Sequence, residues 1–207
     1  MERLDKILSS QGVGSRKEAG ILIRRGLVHV NGILATRPET KTDPERDQIT
    51  IEGKPLRFQR HVYLMMNKPA GVVSASRDSR EKTVVDLVPP ALSRRDLFPA
   101  GRLDRDTTGL LILTDDGELA HRMLSPKKHV YKLYEASVDG PVGAEEIEKF
   151  AAGVALEDGT VCLPAGLTVV KQGTAWETLV EIREGKFHQV KKMFLAVGRR
   201  VLRLKRV

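Results

Sequence analysis

Between Gly101 and Gly109 two aspartates alternate with two arginines, in Arg102-Leu103-Asp104-Arg105-Asp106. A carboxylate held beside a guanidinium stays ionised at neutral pH, which is the state that a nucleophile or general base requires. Turn chemistry accounts for the same pattern, because aspartate bonds to its own neighbouring backbone. Taken alone, the stretch therefore reads first as a charged turn. Two other pieces could work with it. Lys132-Leu133-Tyr134 puts a cation and an aromatic ring on one strand, and the run from Glu184 to Met193 opens a helix with Lys186, Lys191 and Lys192 near its start. A helix N-terminus already attracts anions, so lysines there suit a phosphate or carboxylate partner, or else form a solvated basic face. Other chemistries lack a pattern. The histidines at 29, 61, 121, 129 and 188 share no ligand spacing with one another or with Cys162, which gives no metal site. Neither a phosphate-binding Gly-Lys-Ser/Thr loop, a dinucleotide fingerprint nor a nucleophile elbow occurs.

The elements that must hold these residues follow from periodicity and turn signals. Leu110-Leu111-Ile112-Leu113, bounded by Gly109 and by Thr114-Asp115-Asp116-Gly117, predicts a buried strand fed by the charged turn. Asp115 is placed to cap the next helix, with Glu118 in its third position and an end near Ser125-Pro126. Residues 130–138 alternate as a strand, 141–150 form an acidic helix, 167–170 and 176–182 are strands, 186–197 form a helix and 201–204 a last strand. Upstream, residues 62–66 read as a strand stopped by Asn67-Lys68-Pro69-Ala70-Gly71, and 83–88 as about one helical turn. The fold class predicted is α+β, with a mixed, largely antiparallel sheet.

The first 53 residues form a different unit. Leu4, Ile7 and Leu8 recur at helical spacing, and Ser15 with Glu18 is a capping box opening a second helix that Gly26 ends. A strand over 27–30 then turns at Asn31-Gly32, the strongest short hairpin signal. A polar loop over 36–47 leads to a strand over 48–51. The division expected is 1–53, a linker over 54–60, and a second domain over 61–207.

Composition narrows the partner. The chain has 207 residues, 41% hydrophobic and 30% charged, with net charge +8. Residues 1–60 carry 12 basic against 8 acidic side chains, 61–182 carry 14 against 18, and 183–207 carry 9 against 1. Two basic ends around an acidic middle suit a protein that grips a phosphate backbone and does chemistry beside it. One cysteine excludes an intrachain disulfide, and no apolar run is long enough to span a bilayer or to serve as a signal peptide. The expected compartment is the cytoplasm.

Arg3-Leu4-Asp5-Lys6, Ser15-Arg16-Lys17-Glu18-Ala19 and Gly26-Leu27-Val28-His29-Val30-Asn31-Gly32 resemble the alpha-L RNA-binding fold of a small-subunit ribosomal protein and several RNA-modifying enzymes. The resemblance implies that Arg16, Lys17, Arg24 and Arg25 contact phosphates. The three chemical pieces, with Asn67-Lys68-Pro69 and Gly71 before them, resemble in order and spacing the RsuA-type family of ribosomal RNA pseudouridine synthases. The His188-Gln189 form looks more like the small-subunit branch. That resemblance implies a uridine isomerised without cofactor or metal, with Asp104 as catalytic aspartate, Tyr134 against the uracil and Lys191 paired with the aspartate. Arg102 would hold the flipped nucleotide, Lys186, His188 and Gln189 would contact RNA or shape the site, and Asp106 would shape the turn. It implies a ribosomal RNA or assembly-intermediate substrate and a protein acting as a monomer. Family members usually continue past the final strand, so the catalytic domain reads as C-terminally short. The alternatives are a large-subunit rRNA pseudouridine synthase and a non-catalytic RNA-binding ribosome-assembly factor. A two-carboxylate glycosidase fits the basic flanks poorly.

Overall fold

The computed structural model describes residues 1–93, 96–125, 128 and 130–207. They divide into two compact units, one made of Met1–Val62 with Val88–Leu97 and the other of Tyr63–Leu87 with Phe98–Val207.

In the first unit, β1 (Glu2–Arg3) leads into α1 (Leu4–Ser10), followed by α2 (Arg16–Arg24). The capping box forms: the Glu18 amide donates to Ser15 Oγ at 3.3 Å, and the Ser15 amide donates to Glu18 Oε2 at 2.7 Å. β2 (Val28–Val30) and β3 (Ile33–Leu34) pair through a turn whose Asn31 and Gly32 both have positive φ, as Asn-Gly turns allow. The loop expected over 36–47 contains β4 (Lys41–Thr42), which pairs with β1 and buries Thr42. Its two residues are too short for alternation to reveal. β5 (Ile49–Ile51) pairs with β2 and with β6 (Lys54–Pro55). Lys54 and Pro55 were expected in the linker. With Leu56 and Phe58 packed on the core of Leu4, Ile7, Leu8, Ile23, Val28 and Ile49, they belong to this unit.

Asp5, almost fully buried at 5% exposure, does not solvate the helix start but accepts from Arg3 at 2.9 and 3.0 Å and from Arg16 at 3.1 Å. The bonds from Arg3, and then from Arg16, hold its carboxyl below the ordinary value despite burial. A depressed folded pKa contributes stability that is present above the unfolded value of about 3.9 and is lost as pH falls through the folded one. Asp5→Asn is expected to flatten the acid limb of the stability–pH curve below about pH 4 and to cost about 1–2 kcal/mol at pH 7, measured by urea unfolding.

The second unit is a seven-stranded sheet. Its strands are β7 (Tyr63–Lys68), β8 (Phe98–Pro99), β9 (Thr108–Thr114), β10 (Lys132–Val138), β11 (Gly166–Lys171), β12 (Trp176–Ile182) and β13 (Val201–Arg206). The order is β11-β12-β10-β13-β9-β7, with β8 also on β9, and the β9–β13 pair is parallel while the other pairs are antiparallel. Among the described residues three α-helices accompany it: α3 (Gly117–Leu124), α4 (Ala144–Ala152) and α5 (Gln189–Ala196). The α+β class is as read from the sequence. Phe150 of α4 and Phe194 of α5 meet in the core with ring centroids 5.1 Å apart. A single turn of 3-10 helix occupies Val85–Leu87.

Three details differ from expectation. The cap of α3 is Asp116, whose Oδ1 accepts from the Leu119 amide at 2.9 Å, and not Asp115. Of the expected end at Ser125-Pro126, Pro126 lies outside the described residues, as does His129. The last helix starts at Gln189, so Lys186 precedes it. β9 is longer than its apolar run and alternates, burying Leu111 and Leu113 while Leu110 and Ile112 stay half-buried.

Gly109 fixes how β9 reaches β13. Its φ is +102°, and a Cβ there would collide with the Arg206 carbonyl and lie 2.7 Å from the Arg206 amide nitrogen. Backbone cannot yield as a flexible side chain does. Gly109→Ala is expected to destabilise the second unit by more than about 3 kcal/mol, seen as a lower thermal midpoint.

Candidate active site

Asp104 lies on the loop between β8 and β9. The loop is fixed from several sides. Ser74 Oγ donates to the Leu103 carbonyl at 2.8 Å and accepts from the Leu103 amide at 3.0 Å. The Gly71 amide donates to the Arg105 carbonyl, and the Thr107 amide to that of Asp104. The dominant tether is Lys68, the last residue of β7. Its side chain is fully buried, and Nζ donates to the carbonyls of Asp104 at 3.0 Å, Arg105 at 3.2 Å, Thr107 at 2.9 Å and its neighbour Pro69 at 3.1 Å. Burial pushes its pKa down, and the Asp106 and Asp104 carboxylates oppose that shift. From sequence, Lys68 stands in the segment that stops a strand and in the family-like Asn67-Lys68-Pro69 run, with no tethering role assigned to it. Parity was the missed signal, since Leu64, Met66 and Lys68 share one face of β7.

The carboxylate that the loop presents is paired. Lys191 of α5 sets Nζ 3.0 Å from Asp104 Oδ2 and 2.6 Å from Asp106 Oδ1, and His188 Nε2 lies 3.5 Å from Asp104 Oδ1. Burial lowers the Lys191 pKa, but the bonds to Asp106 and Asp104 outweigh it and the net direction is upward. The Lys191 bond in turn holds Asp106 below the ordinary carboxyl range. Lys191 is thus a firmly charged ammonium between two carboxylates. Asp106, expected only to shape the turn, is the second anchor of that cation.

A cleft of about 560 Å³ opens beside Asp104, with Arg102, Lys132, Tyr134 and Arg206 among its walls. Tyr134 is 7% exposed. Burial raises its phenol pKa, and the Arg206 guanidinium beside it pulls the other way. Burial likewise lowers Lys132, aided by Arg206. Arg206 was not singled out from sequence. Its side chain also donates to the Leu110 carbonyl at 2.6 Å, which fixes the β9–β13 junction. A volume of this size suits a nucleoside, and a ring, a carboxylate and cations together suit stacking on a base and polarising its surroundings.

Other expected contacts are arranged differently. Lys186 is ion-paired with Glu184, and so is not a free cation at a helix start. Gln189 is 4% exposed, its side-chain carbonyl accepting from the Lys186 amide at 2.9 Å and its NH2 donating to Glu184 Oε1 at 2.8 Å. It ties the 184–189 turn together. Arg102 and His188 are among the residues that line the cleft. In the first unit Lys17, Arg24 and Arg25 are exposed, while Arg16 is engaged with Asp5. Among the described residues no group of three or more His, Cys, Asp or Glu could hold a metal ion.

Comparison with known proteins decides what this arrangement belongs to. A family model described as RNA pseudouridylate synthase matches residues 62–196. The chain belongs to this family. A model described as the S4 domain matches residues 2–49, and the chain is thus an S4 domain followed by a pseudouridine synthase domain of the RsuA type. An uncharacterised RNA pseudouridine synthase of Bacillus subtilis is 46% identical over 99% of this chain and 86% of its own. The ribosomal small subunit pseudouridine synthase A of Escherichia coli is 40% identical over 99% of this chain and 87% of its own, and the ribosomal large subunit pseudouridine synthase B of Bacillus subtilis 38% identical over 100% and 84%. The crystal structure of a pseudouridylate synthase superposes with a TM-score of 0.65 at 34% identity, covering 100% of this chain and 87% of that one. The synthase is therefore an enzyme of the RNA pseudouridine synthase class. No helix among its described residues is long and apolar enough to cross a membrane.

Proposed function

We propose that this synthase converts a uridine of ribosomal RNA to pseudouridine, in the small-subunit RNA, as a monomer in the cytoplasm. The observation that carries the reading is Asp104 on the wall of the cleft that also holds Tyr134, with Lys191 paired to its carboxylate at 3.0 Å. The small-subunit assignment rests on the His188-Gln189 form of the last motif.

The target nucleotide leaves its stack and enters the cleft. The N1–C1′ bond breaks, the detached uracil turns in place, and C5 bonds to C1′. C5 then loses its proton and N1 gains one, so atoms and charge balance without a redox partner. Asp104 acts as the ionised carboxylate, by adding to the sugar, adding to the base or removing a ribose proton, and Lys191 sets its direction. Tyr134 packs against the uracil and excludes water. A phenol made less acidic by burial serves as a base toward C5 only with help, and Arg206 is the group beside it that would supply it. Lys17, Arg24 and Arg25 of the S4 domain hold phosphates, which position the RNA without specifying sequence.

The test is to incubate the protein with 16S and 23S transcripts, and with ribosomal particles, tritiated at uracil C5. Release from 16S RNA is the expected result. Release from 23S RNA alone would reassign the subunit, and absence of release from every substrate would overturn the synthase reading of this site.

A further inference from the structure

A second cleft of about 440 Å³ is also lined by Asp104, with Ser74, Asp78, Arg102, Arg105, Phe187 and His188 among its walls. It shares Arg102, Leu103, Asp104 and His188 with the cleft that holds Tyr134. Phe187 is 69% exposed, although a phenyl ring gains most from burial. The ring is not loose. It stacks on the His188 imidazole with centroids 3.8 Å apart and planes 18° apart, and Lys192 Nζ lies 5.8 Å from its centroid. His188 reaches this position with a left-handed φ of 54°, which costs a non-glycine residue free energy. Backbone strain, exposure and stacking therefore combine to present one flat aromatic face beside Asp104. Around it stand the guanidinium groups of Arg102 and Arg105 and the Lys192 ammonium. The one acid on the far wall, Asp78, is turned to its own loop, where it accepts from the Arg80 and Glu81 amides.

We propose that the Phe187–His188 pair is a stacking platform for the nucleobase adjacent to the target uridine. This rests on the reading above that the enzyme acts on RNA at Asp104. When a nucleotide leaves a strand, its neighbour loses one stacking surface. An exposed ring next to the reacting site replaces that surface, and bases of any identity stack on it. Arg105 is paired with Glu81 at 3.2 Å and Lys192 with Asp158 at 3.3 Å. Such exposed pairs are weak, and a phosphate on either side of that base takes the place of the carboxylate. Phe187 thereby holds the strand in register with the catalytic carboxylate without touching the reacting atoms, and is a positioning residue.

The experiment compares wild type with Phe187→Leu and Phe187→Trp, in two assays. The first measures tritium release from C5-tritiated ribosomal RNA transcripts. The second follows quenching of 2-aminopurine placed beside the single uridine of a short oligoribonucleotide. Because the ring is mostly exposed, both variants should keep the wild-type thermal midpoint. Phe187→Leu is expected to lower kcat/KM about 10- to 100-fold, chiefly through KM, and to abolish the quenching, while Phe187→Trp restores both. Phe187→Leu with unchanged kcat/KM and unchanged quenching overturns the platform. So does a loss of activity that Phe187→Trp fails to rescue while quenching persists in Phe187→Leu, since that marks a structural role. Wild-type protein that releases no tritium, yet quenches 2-aminopurine through Phe187, would sink the synthase reading and leave the platform standing.

Discussion

Asp104→Asn is expected to reduce kcat/KM for tritium release by at least about ten-thousandfold, equivalent to about 5.5 kcal/mol of lost transition-state stabilisation. An amide is neither a nucleophile nor a base at neutral pH, so the chemical step loses its agent. The fold should barely respond. The loop around residue 104 is held by its backbone carbonyls on Lys68 and by the Ser74 hydroxyl, none of which involves the Asp104 carboxylate. Lys191 keeps its bond to Asp106 in the variant, so no buried cation is stranded. Thermal midpoint and RNA affinity should therefore match wild type while turnover vanishes. A protein that only binds RNA would show no functional loss. Full activity in Asp104→Asn would move the chemistry elsewhere, with Asp106 the first residue to test.

Lys68→Met should be nearly as damaging by another route. The substitution keeps the length of the side chain and removes an ammonium whose three N–H groups are shared among four carbonyl oxygens. The Asp104 and Arg105 carbonyls keep the Thr107 and Gly71 amides, while those of Pro69 and Thr107 lose the lysine donor. A buried acceptor left without a donor costs about 1–3 kcal/mol, and the total expected is about 3–5 kcal/mol of unfolding free energy. For a protein of this size that lowers the thermal midpoint by about 10 °C. Activity should fall at least about a hundredfold even well below the new midpoint, because the released loop no longer fixes Asp104, and a displacement of about 1 Å costs that much. Wild-type activity in a Lys68→Met protein that remains folded would show that the loop is positioned without the ammonium.

The sequence disclosed the general plan through signals with a mechanism. Ser15 and Glu18, Asn31-Gly32, and the apolar run at 110–113 each led to the element found. It failed where the cause is non-local. β4 has two residues, and only its pairing with β1 defines it. Three of the carbonyls that Lys68 holds lie 36 to 39 residues away, so strand parity could place it on the buried face of β7 but not name its partners. Lys186 and Gln189 were read as contacting RNA or shaping the site, and both bond to Glu184, a local arrangement too ordinary in pattern to be read from the residues alone. Phe187 escaped notice for the opposite reason. Its neighbours are polar, and a single aromatic residue in a charged run gives no hint of whether it is buried or displayed.

The placement of Lys191 between two carboxylates has a consequence for electroneutrality. Asp104, Asp106 and the Lys191 ammonium together carry one net negative charge at rest. On a route where Asp104 forms an ester, its oxygen gives up that charge and the group becomes neutral. With Asp104 as its only counterion, the ammonium would then be left uncompensated and drawn toward the substrate phosphates, and its return would become a step in the cycle. Asp106, only 2.6 Å from the same nitrogen, removes that need. The cation has the same counterion before, during and after the reaction, so the enzyme can turn over without rearranging its own charges.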